Sequence, residues 1–229
     1  MENLAWRKAN QSWYLGEVES MQNFFDHIYI LNLDKRPDRW QTIQKQLHLA
    51  GITKAIRFPG IAKHPGWVGC YESHLAMLQK ARDACARNVL ILEDDAEFYS
   101  DWQFSWRLGK RQIRADWDML YLGYNLDPVA VTEPPQLVAS NMLLLNDALT
   151  THAYAVNLKC LEGLIAHVTS NIGVGIPIDV VYARYFNHIK AYGIYPMLFH
   201  QAAGMSDILG CESNFPLRQN IEQVLAGRR

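Results

Sequence analysis

"NVLILEDDAEF", residues 88–98, runs apolar from Val89 to Leu92 and then delivers three carboxylates in succession, Glu93, Asp94 and Asp95. A short apolar run bounded by polar residues reads as a buried strand. Just upstream, "CYESHLAMLQKARDACA" (70–86) sets Leu75, Leu78, Ala81 and Cys85 at spacings of three and four, the stripe of a helix. Before that helix stand a strand, "KAIRFPG" (54–60), and a loop rich in Gly, Pro and His, "IAKHPGWVG" (61–69). Strand, helix and strand joined by short links imply parallel pairing through a right-handed crossover.

The same alternation extends both ways. "HIYILNL" (27–33) reads as the first strand, stopped by Asp34 and Pro37, with a helix from Pro37 to about Ala50 that Gly51 ends. Downstream, residues 98–115 predict an amphipathic helix and "DMLYLGY" (118–124) a strand. A proline-bearing loop (125–136) leads to two strands, "QLVASNMLL" and "THAYAVN". Residues 158–168 and 178–189 have helical spacing, "AYGIYPMLF" (191–199) reads as the last strand, and the chain beyond 200 as irregular. The expectation is one α/β domain with a mostly parallel central sheet over 26–210, an N-terminal extension (1–25) with one helical stretch, and a tail (211–229).

The 229 residues suit a single core, and 22 basic against 23 acidic residues give a formal charge of −1, which excludes a global field for nucleic acid. Four dispersed cysteines form no C-x-x-C pair, arguing against a zinc site or a disulfide framework and for reduced thiols in a cytoplasmic setting. Neither an apolar secretion segment nor a spanning run of about 18 apolar residues is present, and peripheral membrane contact stays open.

Ligands of open α/β sheets bind outside the carboxyl ends of the parallel strands. Three carboxylates there repel one another unless a cation or hydrogen-bond donors hold them, and hard oxygen ligands suit Mn2+ or Mg2+. The plain alternative is that they cap the following turn. Asn32, Asp34, Arg36 and Arg39 follow the first strand, where a nucleotide is commonly held. Arg39 also reads as an ordinary solvated charge at a helix start, and Arg57 at the second strand's end as either a nucleotide contact or a surface salt bridge. Gly69 permits close backbone approach, and a helix starting beyond it would offer N–H groups to an anion, with Ser73 and His74 in its first turn.

Six stretches occur together in order: "IYILNLDKRPDRW", "GCYESHLAMLQKA", "LILEDDAEF", "DMLYLG", "THAYAVN" and "HQAAGMSDI", covering roughly 26–208. The ensemble resembles the glycosyltransferase 25 family, which includes bacterial lipopolysaccharide galactosyltransferases and procollagen galactosyltransferases. The resemblance implies a single GT-A type, Rossmann-like domain. It also implies transfer of galactose or a related hexose from a UDP-sugar, with a metal and inversion, to a hydroxyl of a glycan, lipid-linked glycan, lipopolysaccharide or protein. Asp94 and Asp95 then take the place of the family's Asp-X-Asp element, with Asp95 the direct metal ligand, Asp94 on metal or ribose, and His200 completing the shell. Tyr71 and Glu72 depart from the family's small or apolar residues and put sugar and acceptor identity in doubt. Inversion requires a general base, and Asp179, after a Gly/Pro loop and opening a helix, is the first choice, with Asp207 and Glu72 behind it. His74 joins the catalytic candidates, and His152 and Gln201 stand near the same place. Rivals from other classes are a catalytically silent nucleotide-sugar or glycan-binding module on the same fold, and a nucleotidyltransferase. The latter ordinarily wants a glycine-rich loop that "NLDKRPDR" lacks.

Overall fold

A computed structural model describes residues 20–129, 133–208 and 210–227. Its central sheet has eight strands: β1 (His27–Asn32), β2 (Ile56–Pro59), β3 (Asn88–Glu93), β5 (Met119–Asn125), β6 (Gln136–Ala139), β7 (Met142–Leu144), β8 (Leu149–Asn157) and β9 (Ala191–Ile194), in the order β2-β1-β3-β8-β5-β9-β7-β6. β1 pairs in parallel with β2 and β3, and β5 with β9, whereas β8 and β7 run against their neighbours. The sheet is therefore mostly parallel in direction, as the sequence predicts, with β8 inserted in reverse between β3 and β5.

Alternate residues of β1, β3 and β8 enter opposite cores, the period-two rule of an extended chain. Val89 and Ile91 of β3 join Tyr121, Tyr154 and residues of α3 (Gly66–Asp83), α5 (Leu158–Ser170) and α6 (Ile178–Tyr185). Leu90 and Leu92 join Ile43 and Leu47 of α2 (Pro37–Leu49) and Trp106 of α4 (Trp102–Lys110). Helices on both faces explain why the strands read as unbroken apolar runs. Each such buried side chain stabilises the fold by about 1.5–3 kcal/mol. The parity continues to the strand end, so Glu93 turns toward α3 while Asp94 turns toward α2.

Several boundaries differ from the sequence reading. α3 begins at Gly66, not after Gly69, because Pro65 takes the N-cap in extended conformation, so Ser73 and His74 lie about two turns inside the helix. "QLVASNMLL" is a hairpin, β6–β7, turned at Ser140 and Asn141. The last run is split: β9 ends at Ile194, a cis Tyr195–Pro196 bond follows, and β10 (Phe199–Gln201) leaves the sheet to pair antiparallel with β4 (Ala96–Phe98). The segment after residue 200 is structured: β11 (Gly204–Met205) pairs with β12 (Glu212–Ser213), and α7 (Leu217–Ala226) buries Leu217 and Ile221. Upstream, α1 (Met21–Phe24) buries Met21, and Phe25 packs near Trp106 with ring centroids 6.1 Å apart. These residues belong to the core rather than to an extension, and a helical stretch within residues 1–19 lies outside the described residues. Cys70, Cys85, Cys160 and Cys211 are free thiols. Among the described residues, no helix is long and apolar enough to cross a membrane.

Candidate active site

β1 and β3 end side by side, with Leu31 opposite Glu93, and the turn Asp94–Asp95 carries the chain into β4. The backbone of that turn is held from the far end of the molecule, because Ala202 donates its N–H to the Asp95 carbonyl at 2.8 Å. Asn32, buried at the end of β1, donates from Nδ2 to Asp94 Oδ2 (2.6 Å) and to the Arg36 carbonyl (3.0 Å), while its Oδ1 accepts from Arg57 Nε (2.7 Å). Arg39 Nη1 reaches both Asp94 Oδ1 (3.2 Å) and Asp95 Oδ2 (3.1 Å), and its Nη2 donates to the Met205 carbonyl (2.8 Å).

The charge is still not fully compensated. Asp95 Oδ1 is buried without a hydrogen-bond partner among the described residues. Burial, reinforced by the neighbouring Glu93 charge, pushes the Asp95 carboxyl up to about 7. Burial also raises Asp94, against the pull of Asn32 and Arg39. Glu93 goes the other way: burial acts to raise it, but the His74 imidazole and the Thr151 hydroxyl, 2.7 Å from Oε1, outweigh that and lower it. A buried carboxylate oxygen with no donor is expensive, and either proton uptake or a bound cation relieves it.

Two clefts meet over these carboxylates. The first encloses about 900 Å³ open to solvent, with Asp94 and Asp95 at its base and the cations of Lys35, Arg39 and Lys63 around it. The second, about 800 Å³, is lined by Trp67, Thr150, Thr151 and Asp179. Glu93, Cys70 and Gln201 form a wall common to both, together with Ser206, Ile208 and Phe215 from the C-terminal segment. That segment is latched by Asp207, which accepts from Arg36 Nη1 (2.7 Å) and from Lys35 (2.6 Å).

No protein-family model matches the sequence. Human procollagen galactosyltransferase 2 is 23% identical over a match covering 77% of this chain and 35% of that protein. Human inactive glycosyltransferase 25 family member 3 is 26% identical, covering 62% of this chain and 29% of its own. A glycosyltransferase 25 family member of Anopheles gambiae is 27% identical over 51% of this chain and 24% of its own. The sequence likeness is to the glycosyltransferase 25 family. This chain spans about a third of the length of the first of those relatives. Among solved structures, a glycosyltransferase involved in glycosylation of the major capsid of PBCV-1 superposes with a TM-score of 0.49 at 12% identity, covering 87% of this chain and 99% of that one.

Of the residues the sequence singled out, Asp94 and Asp95 line the first cleft, and Asn32 stands behind them, hydrogen-bonded to Asp94. Asp179 stands in the second cleft, where its carboxylate accepts from Thr150 N–H (3.0 Å) and Val180 N–H (2.9 Å). Arg36 is committed to Asp207 and Asp38, and Arg57 to Asn32 and to the exposed Asp34 (2.7 Å), with its guanidinium 5.8 Å from the Trp40 ring. Ser73 lines the first cleft, but its hydroxyl accepts from Ile61 N–H and donates to the Gly69 carbonyl. Gly69 approaches protein backbone: a Cβ there would stand 2.2 Å from the Ile61 oxygen. Four residues sit away from the clefts. His74 is fully buried behind Glu93, with Nδ1 2.8 Å from the Tyr154 hydroxyl. His200 faces away because strand alternation turns Gln201, not His200, to the cleft; its Nε2 is 3.8 Å from Glu97. His152 is buried, pushed down to about 4 by that burial, and Tyr71 donates its hydroxyl to the Val168 carbonyl in the core. Glu72 pairs with Lys63 at 2.5 Å.

Sequence reasoning undervalued Arg39, Glu93, Cys70 and Gln201. The signal available for Arg39 was its helical position, one turn after Arg36 on a helix packed beside the strand that ends in Asn32; without the crossover geometry it reads as a solvated charge.

Proposed function

We propose that the chain is a metal-dependent glycosyltransferase that moves a hexose, galactose or a close relative, from a UDP-sugar to a hydroxyl of a glycan, lipid-linked glycan or protein, with inversion. The observation that carries this reading is the buried Asp95 Oδ1, without a hydrogen-bond partner among the described residues, beside Asp94 on a cleft rimmed by the cations Lys35, Arg39 and Lys63. Likeness to a procollagen galactosyltransferase supports the same class.

The donor set fits a hard cation: Asp95 offers an oxygen without a partner among the described residues and Asp94 a second carboxylate, both lining the first cleft. When bound, Mn2+ or Mg2+ supplies charge neutralisation for the departing nucleoside diphosphate. Lys35 and Lys63 at the rim of the same cleft, exchanging their ion pairs with Asp207 and Glu72 for the donor, hold the diphosphate oxygens, and Asn32 fixes the Asp94 carboxylate through its amide. In the second cleft, Asp179 takes the proton of the acceptor hydroxyl as that oxygen forms its bond to the anomeric carbon and the bond to the diphosphate oxygen breaks. Two backbone N–H groups orient the Asp179 carboxylate for that task.

The silent-module reading draws on one specific fact, that a relative of this sequence is designated inactive. A panel of UDP-sugars incubated with and without Mn2+ separates the two. Release of UDP that depends on Mn2+ and acceptor supports the transferase; donor binding by calorimetry with no release supports the module; neither binding nor release refutes both.

A further inference from the structure

The wall between the two clefts contains a cluster that the transferase reading does not use. Cys70, His74 and Glu93 each present a ligand atom, and the three atoms lie within 4.8 Å of one another. His74 is fully buried, and its Nε2 has no hydrogen-bond partner among the described residues. Glu93 Oε1 is 3.3 Å away without completing a hydrogen bond to it. A nitrogen and a carboxylate oxygen that face one another without a good hydrogen bond are related as two ligands of one cation are. Two bonds of about 2.0–2.1 Å meeting at a tetrahedral angle put their ends about 3.3–3.4 Å apart.

The surroundings of the cluster are those of ligands already oriented. The Tyr154 hydroxyl lies 2.8 Å from His74 Nδ1 and 3.0 Å from the Tyr182 hydroxyl. With a cation bound in place of the Nε2 proton that faces Glu93, Tyr154 donates to Tyr182, Nδ1 keeps the ring proton and Nε2 gives its lone pair to the metal. Thr151 donates to Glu93 Oε1 at 2.7 Å and fixes the carboxylate. Such partners of ligating imidazole and carboxylate groups set tautomer and direction.

We propose that Cys70, His74 and Glu93 form a second metal site, selective for a soft or borderline divalent cation such as Zn2+ and separate from the hard site at Asp94 and Asp95. A thiolate, an imidazole and a carboxylate together suit zinc rather than Mn2+ or Mg2+. Cys70 binds as thiolate and releases its proton to solvent. Because Cys70 and Glu93 line both clefts, the fourth coordination position opens onto the passage between them. A cation there with its bound water narrows that passage, so occupancy inhibits transfer; this last consequence rests on the proposed function, whereas the site itself does not.

Co2+ serves as the spectroscopic probe on the full chain. The expected result is a thiolate-to-cobalt charge-transfer band with intense d–d absorption at one equivalent, displaced by one equivalent of Zn2+. C70S removes the band, T151V weakens cobalt binding about tenfold, and the C85S/C211S double variant and D95N retain it. Near-ultraviolet circular dichroism establishes folding of each variant, and E93Q, with its altered d–d spectrum, substitutes for C70S should the latter not fold. Absence of the band in folded wild-type protein, or its persistence in C70S, overturns the proposal. A band in a protein that releases no UDP under any condition upholds the site while the transferase reading fails.

Discussion

Arg39 Nη1 stands 3.1 Å from Asp95 Oδ2 and, at 3.2 Å, touches Asp94 as well, so one guanidinium occupies the place at which a metal would balance the same two carboxylates. Arg39 is therefore a competitor as well as a partner. Arg39→Met removes the competing charge and leaves the pair less compensated. Mn2+ affinity measured by calorimetry is expected to rise roughly tenfold, about 1.4 kcal/mol, while stability without metal falls. A drop in affinity would show that the arginine supports the cation instead.

Asp95 also sets a pH dependence. Its carboxyl rises from an ordinary 3.8 to about 7 in the folded chain, so the folded state keeps a proton that the unfolded state gives up. That contribution is complete below about pH 4, declines as pH rises through 7, and is flat above; its full size is on the order of 4 kcal/mol. Asp95→Asn should flatten the decline in urea titrations at pH 5 and 8, and Mn2+ should stabilise the wild type, but not the variant, at pH 8. Parallel pH profiles for the two proteins would remove Asp95 from this role.

Asp179→Asn separates chemistry from binding. Donor affinity is expected to stay within a few-fold, and transfer to fall by a factor on the order of a hundred or more. The amide keeps only one of the two N–H contacts from Thr150 and Val180, which costs about 1 kcal/mol of stability. A variant that transfers normally rules out Asp179 as the base.

Gly69→Ala tests the cleft wall. The new methyl would stand 2.2 Å from the Ile61 carbonyl oxygen, and backbone on both sides leaves nothing soft to yield. The 61–63 strip, which borders the first cleft, must shift at a cost of about 1–3 kcal/mol, read in thermal or urea unfolding. Unchanged stability would mean that the strip adjusts freely.

Much of this architecture was legible in the sequence. The apolar runs at 27–33, 88–93 and 118–124 each became a strand, because burial on both faces leaves a continuous apolar signature. The acidic turn was legible for the same reason: the strand that carries it has one register. What escaped was information that arises only on folding. Whether His200 or Gln201 faces the cleft depends on strand parity after a chain turn at Tyr195–Pro196. Whether Arg39 is solvated or paired depends on how closely α2 packs beside β1. The start of α3 was misjudged because "HPGWVG" carries loop-forming residues, yet Pro65 at an N-cap begins a helix as readily as it ends a strand.

The reversed strand β8 divides labour in a way that bears on how such a chain can diversify. Its opening residues, Thr150 and Thr151, arrive at the sheet edge from the opposite direction and meet Asp179, while the base of the other cleft is built from β1, α2 and the β3 turn. On the proposed function, acceptor choice would drift through residues 149–151 and 177–180 while the donor cleft is inherited intact. Only the few side chains of the shared wall answer to both substrates, and there the two selections must agree.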